Sequence, residues 1–194
     1  MSSFEFFFSF YGLLLGLSVA AMATGLALAL QHRTTVRIGY LTPLLATFVA
    51  LDIASFWDAA WAAFRDAPFS YGLLVAGLLI ALVYFIATSL IFPYALKEGQ
   101  SLDDHFWANK RMVLLLTTLA NLLMLAVASP SILARPQGAL LMANYGVTMS
   151  LYVLLIVPAA LTRRAMVFTV LVGIHTAIYL FIAVRTALPP GLVG

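Results

Sequence analysis

The chain has 194 residues, 64% of them hydrophobic and 9% charged, with a net charge of +3 and a mean hydropathy of +1.07. A soluble domain is roughly half apolar and about a quarter charged, so a chain this apolar has to meet lipid. It has no cysteine, which excludes disulfides, thiolate metal sites and cysteine nucleophiles. Its basic residues lie in short connectors rather than in one block, a pattern of membrane orientation and not of nucleic-acid binding.

A spanning helix needs about 20 mostly apolar residues. Six stretches meet this, at residues 6–30, 39–64, 71–94, 108–128, 138–161 and 165–184. Runs such as "YGLLVAGLLIALVYFIATSLIF" do not alternate, so strands of a membrane barrel are excluded. The opening "MSSFEFFF" lacks the basic segment of a secretory signal, so the first stretch is expected to stay as a span. It carries a row of small residues, Gly12, Gly16, Ala20 and Thr24, with Ala21, Gly25 and Ala29 alongside. Small residues let helices approach closely in lipid, here either within the chain, the expected case, or between copies of it.

The second stretch contains "FVALDIASFWDAAW", with two acids. Asp58 falls near the outer interface beside Trp57 and Trp61 and on one face with Arg65, where a charge is ordinary. Asp52 falls mid-span, where an acid costs about 2.5–3.5 kcal/mol on insertion scales. Asn121 and His175 are the corresponding mid-span polar residues of the fourth and sixth stretches. Thr117 and Thr118 share a helix face with Asn121, and Tyr179 shares one with His175. These six residues are the candidates for ion or solute binding. Read otherwise, they are hydrogen-bonding glue between helices.

Ahead of the fourth span, "LDDHFWANKR" reads as the polar start of a longer helix, with Ser101 and Asp104 satisfying its first N–H groups. Its Lys110 and Arg111 are expected to reach lipid headgroups. His105 has no second ligand at a useful spacing, so no metal site is expected, whereas docking of a partner on this segment stays open. Pro158 falls in the last turn of the fifth helix and is expected to bend it. Tyr-Gly pairs at 11, 71 and 145 raise the idea of a threefold hairpin repeat.

Orientation follows from the connectors. Arg33, Arg37, Lys97, Lys110, Arg111, Arg163 and Arg164 flank one side, and Arg65, Arg135 and Arg185 the other. The richer side is cytoplasmic by the positive-inside rule. The expected fold is therefore an all-α polytopic membrane protein, a six-transmembrane-helix bundle readable as three helical hairpins, with N and C termini on the outer (periplasmic) side. It forms a single transmembrane domain over residues 1–194.

No phosphate loop, zinc-protease motif, nucleophile elbow or dinucleotide glycine fingerprint occurs, and no mid-span lysine could hold retinal. No catalytic residue and no cofactor is expected, although ligation of a lipid or pigment by His175 from one side stays open. The stretches "VRIGYLTPLLATFVALDIASFW", "YFIATSLIFP" and "LDDHFWANKR" resemble an uncharacterised group of small polytopic bacterial inner-membrane proteins. That resemblance implies a multi-pass protein of the bacterial inner membrane and transfers no functional residue. Two functions fit the residues. One is a transporter- or channel-like protein moving a proton, cation or small polar solute through a polar interior near Asp52, Asn121 and His175. The other is a non-catalytic accessory or scaffold subunit of a larger membrane complex. The partners expected are membrane lipids, a second copy of the chain or such a complex, and no nucleic acid.

Overall fold

A computed structural model describes residues 3–65, 70–96, 99 and 101–188. These form six helices: α1 (Ser3–Gln31), α2 (Leu41–Phe64), α3 (Tyr71–Ser89), α4 (Leu102–Leu133), α5 (Gly138–Leu161) and α6 (Ala165–Ala187). Each is long and apolar enough to cross a bilayer, which makes the chain compatible with a multi-pass integral membrane protein. Large apolar side chains such as Leu13, Val147, Leu154 and Met166 are exposed, as lipid-facing residues are. Lys97, counted for orientation, lies outside the described residues.

The helices pack as two four-helix groups sharing one seam. α2 and α4 form the seam, with α1 and α3 on one side of it and α5 and α6 on the other. The main neighbour of α1 is α3, with a smaller contact to α2.

α4 begins where its cap predicts, the Ser101 hydroxyl accepting from the Asp103 N–H. α3 stops earlier than its apolar run. The hydroxyls of Thr88 and Ser89 donate back to the Phe85 carbonyl, and Ile91 and Phe92 turn inward and are buried. Pro93 could not have continued the helix. His105 Nε2 then lies 3.0 Å from the Leu90 carbonyl oxygen, tying the end of α3 to α4. Among the described residues no metal-holding cluster occurs.

Lys110 departs from the expectation that it meets headgroups. It is buried, and its Nζ donates to the carbonyls of Ala159 (2.8 Å), Ala160 (3.1 Å) and Thr162 (2.6 Å). The last carbonyls of a helix have no partner within it, and lipid supplies none. A cation placed there satisfies them and meets the negative end of the helix dipole. The rings of Trp107 and Phe168 flank the ammonium at 5.1 and 5.6 Å. Arg135 serves α2 in the same way, donating to the carbonyls of Ala62 (2.6 Å) and Ala63 (3.0 Å). Arg111 remains exposed.

The small-residue row of α1 divides. Gly12 packs inside the bundle against the Trp57 ring, but Gly16, Ala20 and Thr24 are exposed. The inward row is the neighbouring one, through Ala21, Gly25 and Ala29. At Gly25 an added Cβ would lie 2.5 Å from Phe92 Cβ, so glycine alone allows that approach. The row chosen on spacing was displaced because helix rotation is set by neighbours, not by spacing. The Tyr-Gly pairs are not equivalent either: Tyr11 is buried, Tyr71 exposed and Tyr145 half-buried.

The two rows predict opposite sensitivities. Gly25→Ala should destabilise the protein by about 1–3 kcal/mol through overpacking, while Gly16→Ala, with open space around it, should be neutral or slightly stabilising. Guanidinium unfolding in detergent micelles measures both, and equal effects would contradict the assigned faces.

Candidate functional site

Asp52 lies at the middle of α2 and is fully buried. The groups that meet it come from three other helices. Tyr179 of α6 donates its hydroxyl to Oδ1 at 2.7 Å, and Tyr84 of α3 donates to Oδ2 at 2.9 Å. The Nδ2 of Asn121, on α4, lies 3.2 Å from Oδ1 and 3.1 Å from Oδ2. Nδ2 is also 3.1 Å from the Tyr84 hydroxyl oxygen and 3.1 Å from the Thr117 carbonyl. Its two hydrogens are therefore shared among several acceptors, and the amide has to present nitrogen on this side.

The remaining candidates extend the cluster unequally. The Thr117 hydroxyl oxygen accepts from Tyr152 of α5 at 3.3 Å, and that hydroxyl donates to Leu114 O at 3.0 Å. Thr118 turns its hydroxyl to the Leu114 carbonyl at 2.7 Å and makes no hydrogen bond to Asp52. His175 does not reach the carboxylate. Its ring stands edge-on to Tyr179 (4.6 Å), Tyr152 (5.1 Å) and Phe48 (5.8 Å), and neither ring nitrogen has a hydrogen-bond partner among the described residues. Asp58 is exposed, six residues along α2 and away from this cluster.

Tyr84 and Tyr152 were not among the expected site residues. The signal was present: each phenol sits well inside a span, where its hydroxyl needs a partner. Tyrosine is also the usual residue of membrane interfaces, and that association hides a mid-span one.

A cavity of about 250 Å³ lies between α2, α4, α5 and α6. Asn121, Tyr152, His175 and Tyr179 line its inner end, and Ala63 and Ile132 its other end. Along α4 the distance from Asn121 to Ile132 is about 16 Å at 1.5 Å per residue. Ser55 is exposed although it lies mid-helix, because it borders this space. In the opposite direction the same helices are packed shut by Leu45, Phe48, Val113, Leu114, Ile156 and Val172, all essentially inaccessible. The polar cluster thus sits at the closed end of a one-sided, mostly apolar cavity.

Removing the acceptor should loosen four helices together. Asp52→Leu leaves two phenols and an amide without their partner, a loss of about 2–4 kcal/mol if each interhelical bond carries roughly 0.6–1.7 kcal/mol. Tyr84→Phe should lose about 1 kcal/mol. Unfolding in micelles tests this, and parental stability in Asp52→Leu would show that the cluster does not hold the helices.

No family model, curated protein or solved structure matches this chain.

Proposed function

We propose that the chain is a small transporter-like protein of the bacterial inner membrane, moving a proton, a cation or a small polar solute by way of Asp52. One observation carries this reading: a fully buried mid-helix carboxylate, donated to from three other helices, lies behind the inner end of a cavity. If the role were packing alone, an asparagine would serve at less desolvation cost. A carboxylate adds a charge that can be neutralised and restored, which a transported proton or cation requires.

By the charge of the connectors, both termini are periplasmic and the odd connectors cytoplasmic. In that orientation the cavity runs toward the periplasmic ends of α2 and α4. The packed layer and the Lys110 cap of α5 lie on the cytoplasmic side. A central site approached from one side and closed on the other is what one state of an alternating-access cycle needs.

A second reading draws support from α1. Gly16, Ala20 and Thr24 present a small-residue face outward, on which a helix of a larger complex could lie closely. Under that reading the chain is an accessory or scaffold subunit, and extraction in a mild detergent yields it with a partner in fixed ratio.

Flux separates the two. Reconstituted into proteoliposomes with an internal pH-sensitive dye, the parent chain should dissipate an imposed proton gradient. Asp52→Asn should slow that flux at least tenfold, and Asp58→Asn should leave it unchanged. Flux that survives intact in Asp52→Asn removes the role given to the acid.

A further inference from the structure

The protons of the cluster all point one way. Tyr179 and Tyr84 donate to Asp52, Tyr152 donates to Thr117, and the Asn121 amide nitrogen faces Asp52 and the Thr117 carbonyl. What remains toward the cavity is mostly acceptor oxygen, from the side chains of Asn121, Tyr152 and Tyr179, with the Ser55 hydroxyl and one N–H of a neutral His175 as the donors beside them. Thr148, further along the wall, likewise spends its proton on the carbonyl of Asn144 or Tyr145. Among the described residues neither lysine nor arginine lines the cavity. His175, nine-tenths buried and also lining it, has both nitrogens without a partner among the described residues.

The rest of the wall is apolar, with Ala59, Met124, Leu125 and Met149 along its length. Aromatic rings from Phe56, Tyr145, Tyr152 and Tyr179 border it, and ring faces attract organic cations. A carboxylate or phosphate would meet no lysine or arginine among the described lining residues and would face the Asp52 charge behind that end. A bare metal ion would lack the several oxygen ligands it requires, and no metal-holding cluster occurs among the described residues. A sugar-like solute would leave most of its hydroxyls against hydrocarbon.

We infer that this cavity takes a lipophilic organic amine in its protonated form, its ammonium head at the Asn121–Tyr152–Tyr179 end and its apolar body between α2, α4 and α5. This assigns a solute class to the site proposed above and rests on that reading.

Three probes share one body and differ only in the head: 4-phenylbutylammonium, 4-phenylbutanol and 4-phenylbutyrate. Isothermal titration calorimetry on the full chain in detergent should find the ammonium bound at least tenfold tighter than either of the others. Ala59→Phe, which fills the wall, should weaken it at least tenfold. The inference is overturned if the alcohol or the carboxylate binds as tightly as the ammonium, or if folded Ala59→Phe binds it unchanged. Should Ala59→Phe not fold, the ranking of the three heads on the parent chain decides alone. Ranked amine binding without any flux leaves this inference standing and removes the transport reading. Flux that depends on Asp52 without a preference among the heads removes this inference only.

Discussion

A carboxylate in hydrocarbon has no water to turn to, so the protein has to surround it with donors. Asp52 receives them from α3, α4 and α6, and a second set of bonds through Thr117 brings in Tyr152 of α5. Five of the six helices are thereby tied into one polar network at mid-span. In a bilayer, apolar surfaces gain little by leaving lipid for one another. The network therefore supplies direction that burial alone would not, and it accounts for α2 lying at the seam. α1 stands outside it. Its place is set by close contact instead, with Gly12 against Trp57, Gly25 against Phe92 and Leu15 fully buried.

The same requirement governs the helix ends. Lys110 and Arg135 each reach to the C-terminus of another helix and satisfy its last carbonyls, one at each end of the seam helix α4. Each was counted in the charge tally of the connectors, Lys110 on the richer side and Arg135 on the poorer, and each is spent on protein carbonyls. This is why counting a lysine near a span end does not reveal whether it meets headgroups or protein.

Between these two caps the α2–α4–α5–α6 group is unevenly filled. Its lower half is closed by fully buried apolar residues, and its upper half holds the cavity that ends on Asn121, Tyr152, His175 and Tyr179. Satisfying Asp52 turns the Tyr84 and Tyr179 hydroxyls and the Asn121 amide nitrogen toward the carboxylate, so the demands of the buried acid also shape the inner end of the cavity.

Much of this was legible in the residues themselves. Length and apolarity of each stretch gave six helices, since hydrocarbon thickness leaves few alternatives. Ser101 marked the start of α4, because a side-chain cap acts locally. Mid-span polarity picked out Asp52, Asn121, Thr117 and Tyr179, four groups of one network, because the cost of a lone polar group in lipid is independent of fold. It did not show that the Thr118 hydroxyl turns to its own helix at Leu114, or that His175 lies among rings at the edge of the cavity and not on the carboxylate. It also missed Tyr84 and Tyr152, whose partners lie 32 and 35 residues away in the chain. The inward row of α1, the burial of Lys110 and the cavity were decided by tertiary structure alone. Each depends on how a helix is rotated against its neighbours, and that rotation is set by contacts between segments distant in the chain, which spacing along a single helix does not encode.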